Sequence, residues 1–263
     1  MRITGSTVLL TGATGGLGHA MARELAARGA KLILTGRRAD ALKPVAAEFG
    51  ARAVPADLAD PADVERLAES CADADVLIAN AALPSSGDLL DYAPEQIDRA
   101  LTVNLRAPVM LARLLAPHMI EAGRGHIVMI GSISGKAATK SSSLYNATKF
   151  GLRGFAAGFR QDLHGTGVGV SVVQPGFVRD AGMFAATGAT PPGGMRTVSP
   201  AQVAAGVVRA VERDLGEVNV APPEMRLLSA IAGQFPGFAE KVQRRTGAER
   251  TIRQMVDAQR GKR

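Results

Sequence analysis

Seven short aliphatic runs alternate with longer amphipathic stretches along the chain, and this alternation restricts the fold more than any other feature. The runs cover residues 7–11, 31–35, 52–55, 75–79, 126–131, 168–174 and 217–221. Strands that alternate with helices form parallel sheets, because each parallel connection needs a crossover. Val8-Leu9-Leu10 is apolar at every position, as expected of a strand covered on both faces. We therefore predict an α/β fold with a doubly wound, mostly parallel seven-stranded sheet and helices on both faces.

Several helix boundaries can also be predicted. Ser199-Pro200-Ala201-Gln202 is typical of a capped helix start, with a helix expected over residues 202–213. A helical stretch over residues 95–121 is expected to be interrupted at Pro108 and Pro117. Another helix is predicted from Tyr145 to about His164.

Length and charge narrow the classes of function. The 263 residues suit one domain, and the single Cys71 cannot form an internal disulfide. No run approaches the roughly 18 apolar residues of a membrane span, so we expect a soluble, cytoplasmic protein. The net charge of +7 is not accompanied by aromatic-interleaved basic patches, which argues against nucleic-acid binding. The four histidines lack ligand-like spacing, so no metal site is predicted.

Part of the positive charge is concentrated near the end of the chain. Residues 240–263 contain eight lysines and arginines against three acids. We interpret this segment as a solvated helical face, with an anionic partner or contact with a membrane surface as the alternative.

A glycine-rich turn at residues 11–18 follows the first strand and precedes a helix predicted over residues 17–28. A dinucleotide pyrophosphate binds at such a helix N-terminus, because free N–H groups and the helix dipole favour an anion. Gly12, Gly16 and Gly18 lack the Cβ atoms that would obstruct it. A flexible turn without a ligand is the alternative, but its position between strand and helix favours phosphate binding.

The second strand ends in two arginines, Arg37 and Arg38, with no acid beside them. In nicotinamide-binding folds an acid at this place holds the ribose 2′-hydroxyl, whereas an arginine accommodates a 2′-phosphate. Two guanidinium groups suit bidentate phosphate binding. We therefore predict NADP(H) as the preferred cofactor. NAD(H) stays possible if both arginines are solvated loop charges.

Tyr145 and Lys149 stand four residues apart, and Tyr145 follows Ser132 by thirteen residues. If Tyr145 begins a helix, Lys149 lies on the same face one turn further along. A free tyrosine has a pKa of about 10, and a nearby ammonium lowers that pKa by favouring the phenolate. Together with the glycine turn, the pair indicates hydride transfer on a nicotinamide cofactor. Taken alone, such a pair is more often a solvated surface pair than a catalytic one.

These motifs together resemble the short-chain dehydrogenase/reductase family in its compact form, over residues 6–221. The resemblance implies a Rossmann-like fold and a catalytic tetrad of Asn104, Ser132, Tyr145 and Lys149. It places the cofactor against Gly12, Thr14, Gly15, Gly16, Leu17, Gly18, Arg37, Arg38, Asp57, Leu58, Asn80, Ala81, Tyr145, Lys149, Pro175, Gly176 and Val178. Within that set the resemblance gives Asp57 to the adenine and Pro175-Gly176 to the nicotinamide.

The resemblance also implies a role for each member of the tetrad. Tyr145 would be the general acid in reduction and the base in oxidation. Lys149 would lower the pKa of that phenol and hold the nicotinamide ribose. Ser132 would hydrogen-bond the substrate oxygen, and Asn104 would anchor a water chain that resupplies protons. A homodimer or homotetramer is expected on the same grounds.

Two segments differ from the family pattern. Ala79-Asn80-Ala81-Ala82 stands where the family has Asn-Asn-Ala-Gly, which removes one side-chain amide and one glycine. Asp180 stands where a threonine often holds the nicotinamide carboxamide, and an ionised carboxylate offers no donor.

The substrate is expected to meet a glycine- and proline-rich loop over residues 180–198. We predict a mobile lid lined by Met183, Phe184 and Met195, although these residues are equally compatible with ordinary packing. Residues 1–222 would form the dinucleotide-binding and catalytic domain, and residues 223–263 a helical, basic extension packed on it. The apolar side chains at 227, 228, 231 and 235 are expected to pack on the core, with a pocket roof or a subunit contact as alternatives.

The resulting hypothesis is an NADP(H)-dependent oxidoreductase that interconverts a secondary alcohol and a ketone or aldehyde. A small carbonyl or alcohol compound would be its partner. A 3-oxoacyl thioester reductase is one alternative. A sensor or scaffold that binds NADP(H) without turnover is another, favoured by the altered residues 79–82 and by Asp180.

Overall fold

The computed structural model describes residues 1–191, 194–235, 237, 254 and 256–258. Seven parallel strands form one sheet in the order β3-β2-β1-β4-β5-β6-β7. They are β1 (Thr7–Thr11), β2 (Lys31–Thr35), β3 (Arg52–Ala53), β4 (Val76–Ala79), β5 (Gly125–Ile130), β6 (Val168–Pro175) and β7 (Glu217–Val220). The predicted doubly wound sheet is confirmed, and every predicted strand is present.

Helices cover both faces of this sheet. In chain order they are α1 (Gly16–Ala27), α2 (Ala39–Glu48), α3 (Pro61–Ser70), α4 (Pro94–Leu101), α5 (Ala107–Glu121), α6 (Ser143–Asp162), α7 (Gly182–Ala185), α8 (Pro200–Glu212) and α9 (Pro223–Gln234). Helices α1, α2 and α8 share one core cluster, and α3, α5 and α6 share the other. Within the described part of the chain, no helix is both long and apolar enough to cross a membrane.

Strand β1 shows why three consecutive residues of a strand can all be apolar. Val8 and Leu10 belong to the core on one face of the sheet, whereas Leu9 between them belongs to the core on the other. All three side chains are fully buried. Full burial of such a side chain contributes about 1.5–3 kcal/mol, so a polar residue at any of the three positions would weaken one of the two layers.

The helix preceding β5 differs from the prediction. Its interruption lies neither at Pro108 nor at Pro117 but in a π-helical segment, Thr102–Arg106, between α4 and α5. Pro108 fits the first turn of α5, because backbone N–H groups there make no hydrogen bond within the helix. Pro117 lies inside α5 without ending it. Single π-helical turns within α-helices often accompany functional sites.

Two other helix ends can be compared with the sequence. Helix α6 begins at Ser143 rather than at Tyr145, so Tyr145 lies within its first turn. The predicted capping box at Ser199 is confirmed, since Ser199 Oγ accepts from Gln202 N and Gln202 Oε1 accepts from Ser199 N.

The predicted core packing of the C-terminal extension is wrong for its named side chains. Leu227, Leu228, Ile231 and Phe235 are all exposed, because α9 turns Met225 rather than these residues towards the protein. The basic residues of 240–263 lie outside the described residues, as do Pro192 and Gly193 of the predicted lid.

The strand order places a crevice at one edge of the sheet. Strand β1 pairs with β2 on one side and with β4 on the other, so the chain changes direction around β1. In open α/β sheets, ligands bind at this change of direction, beyond the carboxyl ends of the strands. The glycine turn after β1, the arginines after β2 and Asn80 after β4 all lie at that edge.

Candidate active site

A cavity of about 580 Å³ runs along the carboxyl edge of the sheet. Of the 22 residues predicted to be catalytic, cofactor-binding or substrate-lining, 19 lie in its wall, and Arg38, Asn104 and Met195 do not. The side chains from Ser132, Tyr145 and Lys149 therefore share one space with the glycine turn.

Three glycines of the turn are needed because other parts of the protein backbone and side chains lie too close for a Cβ atom. A Cβ on Gly12, whose φ is +67°, would lie 2.9 Å from Ala81 Cα. A Cβ on Gly16 would lie 2.8 Å from Ala181 Cβ, and one on Gly18 would lie 2.9 Å from Ala13 Cα. The sequence interpretation assigned this clearance to a phosphate. In the structure, protein atoms already account for it at all three positions.

Gly15 differs from those three glycines. Its added Cβ would meet only Gly12 O, at 3.5 Å, so its missing side chain leaves open space at the cavity wall. Gly15 is also the N-cap of α1, and it has no side chain to satisfy the first N–H groups of that helix. Free N–H groups at an open helix N-terminus suit an anion.

Asn80 braces the glycine turn against β4. Its Nδ2 donates to Thr11 O at 2.9 Å and to Gly12 O at 3.3 Å. Thr11 Oγ1 in turn accepts from the backbone N–H groups of Asn80 and Ala81, both at 2.9 Å. This reciprocal set of hydrogen bonds holds the two strand ends together with one asparagine, although the segment departs from the family pattern at residues 79 and 82.

The two arginines after β2 occupy different places. Arg37 lines the cavity, whereas Arg38 lies outside its lining and forms the N-cap position of α2. Thr35, the last residue of β2, is buried and also lines the cavity, and its Oγ1 has no hydrogen-bond partner among the described residues. Asp57 also lines the cavity, and its Oδ1 accepts from Ala59 N at 3.0 Å, which fixes that carboxylate at the wall.

Ser132, Tyr145 and Lys149 come together from two elements. Ser132 follows β5 and its Oγ accepts from Ser134 N at 3.1 Å, which caps the short 3-10 turn Ile133–Gly135. Tyr145 and Lys149 lie on α6, with Lys149 Nζ 5.6 Å from the centre of the Tyr145 ring. Lys149 is buried, and its Nζ donates to Ile130 O at 2.9 Å.

Burial controls the pKa values of this pair. It raises the pKa of Tyr145 above its ordinary value, while a hydrogen bond with the Ser132 side chain acts in the opposite direction. Burial also lowers the pKa of Lys149 to about 8. The expected net lowering of the Tyr145 pKa by Lys149 is therefore wrong for this structure, because loss of water around the phenol outweighs the favourable contacts.

Asn104 lies in the π-helical segment and is buried, but it does not line the cavity. Its Oδ1 accepts from Leu83 N at 2.6 Å, and its Nδ2 donates to Leu83 O at 2.9 Å and to Ser85 Oγ at 3.3 Å. The observed task of this side chain is to fix the loop after β4, whose Leu83 and Pro84 form part of the cavity wall.

The loop over residues 176–198 closes one side of the cavity. Phe177 and Phe184 pack with ring centres 4.6 Å apart, and Met183 and Phe184 line the cavity. Asp180 is exposed, has a φ of +66° and pairs with Arg179 at 3.4 Å, outside the cavity wall. The position where the family often has a threonine is thus turned away from the site.

Sequence reasoning did not identify several wall residues. Leu83, Pro84, Val103, Thr187 and Ala258 also line the cavity. Leu83 and Pro84 carry no motif, because their position depends on the loop after β4 that Asn104 fixes, and Val103 belongs to the π-helical segment. In the described part of the chain, no group of three or more His, Cys, Asp or Glu side chains is arranged to hold a metal ion.

Known proteins resemble this chain along most of its length. The sequence profile of a family described as short chain dehydrogenase matches residues 6–191. The chain belongs to this family. It is accordingly an NAD(P)-dependent oxidoreductase.

Individual relatives support this assignment. The ketoacyl reductase HetN of Nostoc sp. is 38% identical over 227 residues, which cover 83% of this chain and 79% of that protein. The dehydrogenase/reductase SDR family member 7B of Bos taurus is 30% identical over 261 residues, covering 90% of this chain and 79% of that one. A solved short-chain dehydrogenase from Sphingobium yanoikuyae in complex with NADPH has a TM-score of 0.77 and 30% identity, covering 89% of this chain and 95% of that one.

Proposed function

We propose that the chain is an NADP(H)-dependent reductase that converts a ketone to a secondary alcohol, and the reverse, with Tyr145 as general acid and base. The observation that carries the proposal is the shared cavity. One wall is the glycine turn at an open helix N-terminus, and the other bears Ser132, Tyr145 and Lys149.

The residues of the cavity fit a nicotinamide dinucleotide. The N–H groups of the first turn of α1, from Gly16 onward, suit the pyrophosphate, and Gly15 before them leaves open space at the cavity wall. Arg37, rather than Arg38, would pair with a 2′-phosphate, because only Arg37 lines the cavity. When bound, the reduced cofactor supplies the hydride for the carbonyl carbon. The NADPH and NADP complexes of similar proteins support the preference for the phosphorylated form.

The proton step belongs to Tyr145 and Ser132. Ser132 Oγ would donate a hydrogen bond to the carbonyl oxygen, and Tyr145 Oη would transfer its proton to that oxygen as the hydride arrives. With a raised pKa, Tyr145 holds its proton at neutral pH. Lys149, with a pKa of about 8, is mostly charged there, and its ammonium 5.6 Å from the ring would stabilise the phenolate that the transfer leaves.

The substrate end of the cavity favours an apolar compound. Leu83, Pro84, Val103, Met183 and Phe184 form the larger apolar side chains of the wall that Tyr145 shares. No charged side chain stands among these five residues, so a substrate whose carbonyl is flanked by hydrocarbon would bury that hydrocarbon without leaving a charge unpaired.

A 3-oxoacyl thioester is the second candidate substrate. The same apolar wall would accept its acyl chain, and HetN, the relative at 38% identity, carries the name ketoacyl reductase. The ethyl ester and a thioester of one 3-oxo acid, compared with a simple apolar ketone, distinguish the two proposals. A large preference for the thioester over both other substrates would favour the second candidate.

The decisive experiment compares the wild-type protein with Tyr145→Phe. We expect wild-type NADPH consumption with an apolar ketone to fall by about 1,000-fold or more in the variant, because the phenolic proton donor is lost while the ring is retained. The dissociation constant for NADPH should change by no more than about twofold. Undiminished turnover in Tyr145→Phe would refute the mechanism. Tight NADPH binding without turnover of any carbonyl by the wild type would favour the sensor alternative.

A further inference from the structure

A half-buried ionic cluster links β7 with the turn after Ser132 and with helix α6. Glu217 of β7 accepts from Lys136 Nζ through Oε1 at 2.7 Å and from Arg153 Nε through Oε2 at 2.8 Å. Asn219, two residues further along β7, donates to Glu217 Oε1 at 3.2 Å and accepts from Lys136 Nζ at 3.4 Å. Both carboxylate oxygens of Glu217 are therefore engaged.

The two cations of this cluster come from the elements that carry the catalytic groups. Lys136 directly follows the turn Ile133–Gly135 that Ser132 caps, and its backbone N–H donates to Ile133 O at 2.9 Å. Arg153 lies on α6 four residues after Lys149 and eight after Tyr145. The carboxylate of Glu217 thus binds both residues 132–136, which we call the serine loop, and helix α6, which carries Tyr145.

The serine loop also lies unusually close to α6. A Cβ on Gly135 would stand 2.7 Å from Lys149 O, so the turn rests directly on the backbone of the catalytic helix. At such close contact, a small displacement of the turn changes the separation between Ser132 and Tyr145. Lys136 has only 14% of its side chain exposed and Glu217 only 28%, so their attraction is less screened than that of a surface pair.

We propose that Glu217 is a positioning residue for the reaction. It binds Lys136 and Arg153 so that the hydroxyl of Ser132 stays in hydrogen-bond contact with the phenol of Tyr145. The inference rests on the proposed function for its catalytic meaning. The geometric part, that Glu217 maintains the Ser132–Tyr145 contact, can be tested without any substrate.

The sequence offers a direct probe, because the chain has only two tyrosines. Protein labelled with carbon-13 at the ζ position of tyrosine gives two signals, and Tyr145→Phe assigns them. The Tyr145 signal reports the hydrogen bonding of its phenol at a fixed neutral pH, and Ser132→Ala defines the displacement caused by complete loss of the Ser132 contact. Glu217→Gln keeps the shape of the side chain but removes its charge.

We expect Glu217→Gln to move the Tyr145 signal in the same direction as Ser132→Ala does, and the double variant to move it no further than Ser132→Ala alone. In turnover, kcat should fall by about tenfold while KM for NADPH stays within about twofold, since positioning is lost but the cofactor site is intact. Lys136→Gln removes only the ion pair between Glu217 and the turn after Ser132, and it should reproduce both effects. This variant keeps the test available if Glu217→Gln fails to fold.

Asp214→Asn is the matched control. Asp214 binds Arg160, also on α6, through hydrogen bonds of 2.7 and 2.9 Å, yet neither residue lies in the serine loop. It should leave the Tyr145 signal unmoved. An unmoved signal in a folded Glu217→Gln would overturn the proposal, as would an equal displacement in Asp214→Asn. If wild-type protein reduces no carbonyl, the proposed function fails while the labelled-tyrosine result still decides the positioning role.

Discussion

Replacing Arg37 with Gln should weaken the binding of NADPH selectively. Arg37 lines the cavity beside Thr35 and Gly36, at the place expected for a 2′-phosphate. A hydrogen bond to a charged group contributes about 1.5–3 kcal/mol, and about 1.4 kcal/mol corresponds to a tenfold change in affinity. Because Arg37 is exposed, solvent screening places the effect at the lower end, so we expect the NADPH dissociation constant to rise about tenfold.

The assay is a titration of the cofactor's own fluorescence with wild type, Arg37→Gln and the matched control Arg38→Gln. The chain contains no tryptophan, so its emission will not obscure the reduced nicotinamide. NADH affinity should stay unchanged in all three proteins, because NADH has no 2′-phosphate. Arg38→Gln should retain NADPH affinity, since Arg38 lies outside the cavity wall. Equal loss of NADPH and NADH in Arg37→Gln, or a loss confined to Arg38→Gln, would refute the assignment.

Three further predictions concern the turn, the catalytic pair and a remote histidine. Gly18→Ala should lower both thermal stability and NADPH affinity, because its Cβ would lie 2.9 Å from Ala13 Cα, whereas Gly158→Ala, with open space around its Cβ, should raise the free energy of unfolding by about 0.5–1 kcal/mol. The rate of reduction should fall as the pH rises through about 8, because Lys149 then loses its proton. In Lys149→Arg, whose guanidinium stays charged, the rate should not fall in this pH range. Burial lowers the pKa of His126 from 6.5 to about 4, so the unfolded chain binds the extra proton first and stability should fall by about 3 kcal/mol between pH 7 and 4. His126→Gln keeps a hydrogen-bond donor for Ser171, and its free energy of unfolding in urea should show little of this loss of stability between pH 7 and 4. A pH dependence as large as that of the wild type would contradict the prediction.

The parts of the fold that depend on local pattern could be predicted from the sequence. Short β-branched or aliphatic runs identified every strand of the sheet, and burial on both faces explains the three consecutive apolar residues at the centre of β1. Ser132, Tyr145 and Lys149 could be grouped because the end of β5 and the start of α6 are close in sequence. The different positions of Arg37 and Arg38 could not, because the start of α2 decides which of the two side chains reaches the cavity.

Contacts between segments that are distant in sequence could not be predicted either. Lys136 and Glu217 are 81 residues apart, and they meet only because β7 lies beside β6 at the edge of the sheet. For the same reason, the sequence showed only in part why glycine is needed at positions of the turn. Sequence patterns placed Gly12 and Gly16 correctly, but their neighbours Ala81 and Ala181 come from the loops after β4 and β6. Strand order must be known before such pairs can be named.

The electrostatics of the catalytic pair show most clearly what the sequence omits. Two residues four apart on a helix suggested that the ammonium would lower the pKa of the phenol, which is correct for the sign of their interaction. Burial acts on both groups at once and favours the neutral form of each, so the pKa of Tyr145 rises while that of Lys149 falls to about 8. At neutral pH the site therefore holds a protonated phenol beside a mostly charged lysine. In the proposed mechanism, that is the state from which Tyr145 would give a proton to a carbonyl oxygen, whereas oxidation would first have to remove that proton.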